Sequence, residues 1–236
     1  MLGMEHIRFS YRARPGRRKT VLEDFSLTLR AGECVALTGP NGAGKSTVLA
    51  LLAGILRPDA GKLLLPERVG YIPQGEALFG DMTVRDNLRF FAAAAKCPLP
   101  LPDCLPFSLE TVLPRRVDTL SGGTRKRLSI ACALLGDPPL LLFDEPCAGL
   151  DILYREELSA LLLSLKERGH AIVYVGHDPA EYAAFYDRLL VLGPHGHGCF
   201  SRSSLSQEGD AGDPTLLQSK IRPFYLPENS GKDDRS

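Results

Sequence analysis

Nine consecutive residues, Gly39-Pro40-Asn41-Gly42-Ala43-Gly44-Lys45-Ser46-Thr47, place three glycines, an amine and two hydroxyls at a spacing suited to holding a polyphosphate. Gly39, Gly42 and Gly44 let the backbone turn tightly through Asn41 and approach a ligand, so that successive N–H groups point inward. Lys45 can reach β- and γ-phosphates as a point charge, the Ser46 hydroxyl can ligate Mg²⁺, and Thr47 falls near the α-phosphate. A second group of carboxylates, Asp144-Glu145, follows the apolar run Leu140-Leu141-Leu142-Phe143. Asp144 is placed to hold the shell of a Mg²⁺ ion and Glu145 to polarise a water for in-line attack. Ser121-Gly122-Gly123, ahead of the helical run Arg125 to Leu135, offers a hydroxyl and open backbone N–H groups as a second anion site.

Three single residues carry weaker signals. Gln74, just beyond an apolar run, is placed to touch Mg²⁺ and an attacking water, although most glutamines at strand ends are only solvated. His177 can hydrogen-bond a γ-phosphate, although a lone histidine of this kind is more often structural. Tyr11 can stack on a purine ring, or be an edge tyrosine.

The flanking patterns say what must position these groups. Cys34 to Leu37 reads as a buried strand and Val48 to Ala53 as a helix, so the glycines fall at a strand-to-helix turn. Leu140–Phe143 and Ala171–Val175 are further fully apolar strands, as in a parallel sheet covered on both faces. Ligands of such sheets bind beyond the strands' carboxyl ends. Ile7–Tyr11 and Val21–Leu29 alternate like half-buried antiparallel strands, joined by a turn, 12–19, whose five basic residues read as a solvated loop. Short strands are expected at Lys62–Leu65, Val69–Pro73 and Arg188–Leu192. Helices are expected at Thr83–Lys96, Ser108–Leu113, Ile152–Arg168 with Asp151 as N-cap, and from Asp178-Pro179 through Tyr186. Prolines 98, 100, 102 and 106 make 98–106 an irregular connection. His195 and His197 read as a solvated turn, and from Ser201 the composition predicts a loosely attached tail.

Composition bounds the partners. The 236 residues carry 28 Lys+Arg against 28 Asp+Glu, and this balance argues against a dedicated nucleic-acid binder. With 44% apolar residues there is material for one substantial core plus a small subdomain. No apolar run approaches the ~20 residues of a membrane-spanning helix. Met1 to His6 has neither a basic nor an apolar leader region, which predicts a chain that stays in the cytosol. Six scattered cysteines read as reduced, mostly buried thiols rather than a metal site.

Taken together, these motifs resemble the ATP-binding subunit of ABC (ATP-binding cassette) transporters. The resemblance runs from Ile7 to about Phe200. Gly39–Thr47 resembles the family's Walker A motif, Gln74 its Q-loop, and Leu120-Ser121-Gly122-Gly123-Thr124 its signature. Leu140–Glu145 resembles Walker B with its catalytic glutamate, Ala148-Gly149-Leu150-Asp151 the D-loop, His177 the switch histidine, and Tyr11 the adenine-stacking aromatic. The resemblance implies an α/β fold: a P-loop NTPase core whose mostly parallel sheet is flanked by helices, with an N-terminal antiparallel β-subdomain and a short helical subdomain. The ATPase domain would occupy 1–200, with the helical subdomain inserted at 75–120, and a partly disordered tail would occupy 201–236.

It further implies ATP and Mg²⁺ as cofactors, with Ser46, Gln74 and Asp144 at the metal. Two subunits would face head to tail, so that Ser121, Gly122 and Gly123 serve the partner's nucleotide. Glu145, His177, Gln74 and Lys45 would drive hydrolysis that pulls on separate transmembrane permease subunits, holding the chain on the inner face of the cell membrane. Thr83–Leu88 and Arg125–Ile130 resemble exporter-type (ABC-2-like) ATPases more than importers. The alternative is a soluble ABC ATPase acting as a scaffold or mechanical element. Three positions depart from the family pattern: Thr124 stands where glutamine is usual, Cys147 where serine or threonine is, and Pro73–Leu120 is short and interrupted by proline.

Overall fold

The computed structural model describes residues 2–14, 17–75, 77–100, 105–194 and 196–225. His195, residues 101–104 of the proline-rich connection with Cys104, Pro15-Gly16 of the basic turn, and the end of the tail from Leu226 lie outside the described residues.

Two sheets carry the fold. The central one has six strands in the order β5 (Val69–Ile72), β6 (Leu140–Asp144), β7 (Ala171–Val175), β3 (Cys34–Thr38), β8 (Arg188–Gly193) and β9 (Gly196–Ser201). The first five are parallel and β9 runs antiparallel to β8. The second is antiparallel, in the order β2 (Arg17–Leu29), β1 (Leu2–Arg14), β4 (Ala60–Leu64). Seven α-helices complete the described residues: α1 (Lys45–Leu52), α2 (Val84–Ala94), α3 (Gly122–Leu134), α4 (Ile152–Glu167), α5 (Pro179–Tyr182), α6 (Arg202–Leu205) and α7 (Pro214–Ile221).

Strand periodicity explains why the parallel strands are apolar throughout. Val35, Leu37, Leu140, Leu142, Val173 and Val175 point to one face, against α1 and the antiparallel sheet. Cys34, Ala36, Leu141, Phe143, Ile172 and Tyr174 point to the other, against α4, α5 and α7. Both side-chain sets are buried, and each large apolar residue so removed from water contributes about 1.5–3 kcal/mol. A third cluster, with Val84, Leu88, Leu109, Val117 and Leu128, is separate and gathers α2, α3 and the segment between them.

Several local expectations are corrected. The hairpin strands are 13 residues each, so the five basic residues 12, 14, 17, 18 and 19 belong to strands rather than to a loop, with Arg12 opposite Arg18. The helix expected at Ser108–Leu113 is a 3-10 segment, Pro106–Val112, in which Phe107 and Ser108 hold φ of 65° and 52° and so break any α ladder. The helix from Pro179 stops at Tyr182. Beyond it the carbonyls are taken by basic side chains instead of by helical N–H groups: Lys166 donates to Phe185 O at 2.6 Å, and Arg202 to Ala183 O at 2.8 Å.

The loose tail expected from Ser201 does not hold for 201–225. Leu205, Ala211, Leu217 and Ile221 are buried in the main cluster, the Tyr186 hydroxyl donates to Ala211 O at 2.7 Å, and Arg202 lies over the Tyr186 ring. His197 is likewise in strand β9, its ring edge-on to Phe25 at 5.2 Å, rather than in a turn. Cys34, Cys132 and Cys147 are buried free thiols, whereas Cys199 is exposed.

Candidate functional site

Four adjacent parallel strands deliver the site. Gln74 lies two residues past the end of β5, Glu145 directly after β6, Gly176-His177 after β7, and the phosphate loop after β3. Val175 is in register with both Asp144 and Leu37, so three of these exits stand at one height. Their convergence follows from strand order, because all four chains emerge from the same edge.

The loop leaves β3 at Gly39, whose φ of 145° suits glycine; a Cβ there would sit 2.2 Å from Leu192 O. Helix α1 then begins at Lys45 behind Gly44 (φ 104°), with no side chain capping its first turn. Its leading N–H groups are thus left to an anionic ligand, reinforced by the helix dipole. The Lys45 side chain is 7% exposed, and its Nζ donates to Gly39 O at 2.7 Å and Pro40 O at 3.1 Å. Burial lowers the Lys45 pKa below the ordinary lysine value, while Glu145 and Asp144 act in the opposite sense.

A cleft of about 550 Å³ opens beside the loop. Asn41, Gly42, Gly44, Lys45, Ser46 and Thr47 line one side of it, and Gln74, Glu145, His177 and Tyr11 complete the wall. The Tyr11 hydroxyl is 3.3 Å from Thr47 Oγ1, its ring meets Phe9 edge-on at 4.9 Å, and it remains 45% exposed, leaving a face available for stacking. Glu145 is held through both oxygens: Gln74 Nε2 donates to Oε2 at 2.8 Å, and His177 Nε2 is 2.7 Å from Oε1.

Asp144 is 4% exposed, and burial, followed by the neighbouring Glu145, raises its pKa. The Ser46 hydroxyl bonds to this carboxyl and works the other way, as do Lys126 and Lys45. Tyr71 closes on the same group, its hydroxyl 3.5 Å from Oδ2, and burial and that carboxylate push the phenol up to about 12. Hydroxyl, carboxyl and the nearby Gln74 amide form a set of hard oxygen donors, the kind Mg²⁺ takes together with phosphate oxygens and water.

Ser121, Gly122 and Gly123 are not brought into that cleft. Ser121 caps α3, its Oγ accepting from Thr124 N at 3.3 Å and lying 2.9 Å from Thr124 Oγ1. Thr124, the departure in this motif, thus pairs with the capping hydroxyl. Ser121 and Gly122 are exposed.

Two further residues bear on the site without a motif of their own in the sequence. Lys19 lines the cleft, standing directly opposite Tyr11 in the hairpin register. That pairing is the signal that could have found it. Lys126 on α3 donates to Pro73 O at 2.9 Å and Gln74 O at 3.4 Å, tying the signature helix to the segment that carries Gln74. No local spacing links residues so far apart.

A mostly parallel sheet whose glycine-rich loop, acidic strand end and strand-end histidine meet in one cleft defines a P-loop nucleotide-binding fold. Residues 22–148 match the family described as ABC transporter, and the chain belongs to that family, in its ATP-binding cassette. A Nod factor export ATP-binding protein I from Paraburkholderia xenovorans (strain LB400) is 41% identical over 192 residues, covering 74% of this chain and 63% of that protein. The chain therefore spans less than two thirds of that relative's length. Among solved structures, an ATP-binding subunit of an ABC transporter superposes with TM-score 0.77 at 28% identity, covering 93% of this chain and 98% of the other. The dimeric structure of a bacterial ABC transporter cassette superposes with TM-score 0.67 at 25% identity, covering 81% and 94%.

Proposed function

We propose that this chain is the ATP-binding and ATP-hydrolysing subunit of an ABC transporter working in the export direction. The observation that carries the reading is Glu145, whose two carboxylate oxygens are held by His177 and Gln74 in the same cleft as the phosphate loop. The export direction is supported by the name of the relative, a Nod factor export protein.

In this reading the loop N–H groups of residues 39–44 and the α1 N-terminus bind the phosphates, and Lys45 leaves its carbonyl partners to reach the β- and γ-oxygens. Tyr11 stacks on the base. Ser46, Gln74 and Asp144 would hold Mg²⁺, which would supply positive charge to offset the charge that develops on the phosphates. Glu145 accepts a proton from the attacking water, and His177 fixes the carboxylate and senses the γ-phosphate.

Ser121, Gly122 and Gly123 serve a second ATPase subunit, either another copy or a paralogue, arranged head to tail. Support for this comes from the place of this segment outside the chain's own cleft lining and from the dimeric cassette among the structural neighbours. Closure and release of the dimer then pull on separate permease subunits docked near Gln74 and the helical segment 75–120. Attachment to those subunits places the chain on the inner face of the membrane. Among the described residues no helix is long and apolar enough to cross a membrane itself.

Two measurements test the reading. Purified chain should release phosphate from ATP only with Mg²⁺, and Glu145→Gln should reduce that rate at least ~100-fold by removing the base. Undiminished turnover in the variant would remove Glu145 from the mechanism. A mild-detergent pull-down from native membranes should then recover a polytopic protein. Recovery of soluble proteins or ribosomes alone would keep the ATPase and remove the transport assignment.

A further inference from the structure

Behind the Glu145–His177 pair lies a buried polar chain that the proposed chemistry does not use. The Tyr174 hydroxyl, fully enclosed in the core, is 3.3 Å from Cys147 Sγ and 3.2 Å from Glu181 Oε2. The three residues bracket the pair in sequence. Cys147 is two residues after Glu145, Tyr174 three before His177, and Glu181 four after it. Glu181 on α5 is therefore joined, through one hydroxyl, to β7 and to the turn that follows Glu145.

The position of the Glu181 carboxylate is specific. It lies directly beneath Gly176, where any Cβ would sit 2.8 Å from Glu181 Oε2 and 2.9 Å from Tyr174 Cε1. The chain just before His177 thus rests on this carboxylate and on the tyrosine ring. From α4, Arg155 reaches the same loop, with its Nη1 3.6 Å from Asp178 Oδ2, and its charge attracts Glu181. A half-buried carboxylate without these partners would be expensive, so the bond to Tyr174 restricts where the loop can sit.

We infer that Glu181, anchored by Tyr174, is a positioning residue that sets the reach of His177 to Glu145. The inference rests on the reading of Glu145 and His177 as hydrolytic residues, but it makes a claim about His177 that is measurable without turnover. Loss of the Tyr174–Glu181 bond lets Gly176-His177 relax toward solvent and lengthens the 2.7 Å contact to Glu145. A displacement of about 1 Å at such a contact can cost about 100-fold in rate.

The test uses the full chain and the His177 ring resonance, assigned by its disappearance in His177→Ala. Glu181→Ala and Tyr174→Phe are each expected to move that resonance toward the position of a solvated imidazole. Glu181→Gln, which keeps an oxygen for the Tyr174 hydroxyl, should leave it near the wild-type position. In phosphate release, the first two variants should lower kcat about 10- to 100-fold with KM for ATP within about twofold, and their combination should be no worse than either alone. An unchanged His177 resonance in both Glu181→Ala and Tyr174→Phe overturns the inference, and so does a rise in KM at constant kcat. Tyr174→Phe removes one atom and preserves packing, so folding failure of the alanine variant does not shield the claim. If wild-type chain hydrolyses nothing, the hydrolytic reading falls while the resonances still decide this one.

Discussion

His177 Nε2 lies 2.7 Å from Glu145 Oε1, a bond between residues 32 apart that closes across two neighbouring strand ends. It is reinforced by Gln74 Nε2 at 2.8 Å on the second oxygen and by Glu145 N donating to Val175 O at 3.1 Å. Glu145 holds these contacts with φ at 49°, a left-handed conformation that costs a non-glycine residue about 1–3 kcal/mol. A backbone so arranged directs the carboxylate into the cleft instead of along the strand, and the surrounding bonds keep it there.

Removing the carboxylate while keeping its size separates binding from chemistry. Glu145→Gln should bind ATP with affinity close to wild type, lose about 100- to 10,000-fold in phosphate release, and accumulate as an ATP-bound dimer. Light scattering with ATP and Mg²⁺ checks this. A variant that stays monomeric at saturating ATP would count against head-to-tail closure.

The lysine of the loop is predicted to matter at an earlier step. Lys45 is held on Gly39 O and Pro40 O, and burial lowers its pKa below the ordinary lysine value. Wild-type chain should gain thermal stability with nucleotide, about 2.7 kcal/mol at a hundredfold excess over Kd. Lys45→Ala should gain almost none under the same conditions. Calorimetric melting with and without ATP and Mg²⁺ reads the difference.

Asp144 provides a pH prediction. Burial raises its folded pKa above the unfolded one, so the native state binds this proton more tightly. The stability it contributes is present in acid and is lost as pH rises through the raised folded value. In nucleotide-free chain, Asp144→Asn should therefore raise the melting temperature at neutral pH, and the gain should vanish below about pH 4, the ordinary aspartate range. A lower melting temperature at neutral pH would mean that the bonds from Ser46 and Tyr71 outweigh burial.

At the outer end of the cleft, Tyr11 and Lys19 face one another across the hairpin. Tyr11→Ala should weaken ATP binding by about 1–3 kcal/mol, the worth of one stacked base in other proteins, whereas Tyr11→Phe should stay close to wild type. Lys19→Ala should weaken triphosphate binding more than adenosine binding, and with a steeper loss at low salt. Titration calorimetry against both ligands distinguishes the two contributions.

Much of this site is legible in the residues themselves. A glycine-rich loop between an apolar strand and a helix has few physical uses, and an acidic pair after Leu140–Phe143 has few others. The parallel strands are legible for the same reason: Cys34–Thr38, Leu140–Asp144 and Ala171–Val175 are buried at every position, which a strand covered on both faces requires. The tail is not legible, because it is composed like a linker. Its few apolar residues, Leu205, Leu217 and Ile221, are buried in the cluster built on the central sheet, α4 and α5, and composition over 201–236 cannot register contacts to residues so far away. The end of α5 is hidden in the same way, since the bonds that stop it come from Lys166 and Arg202.

Local residue patterns set which groups are present and at which strand ends: a phosphate loop, two carboxylates, a glutamine, a histidine and a tyrosine, each beside the element that presents it. These are local matters, set by glycine's backbone freedom and by the period of apolar residues. Long-range packing places β5, β6, β7 and β3 side by side in that order, so that Gln74, Glu145, His177 and Lys45 share one cleft while Ser121-Gly122-Gly123 stays outside its lining. Strand order is fixed by which buried faces fit one another across the whole core, through contacts such as that between Arg188 and Glu33, 155 residues apart. No short window of the chain contains both halves of such a contact.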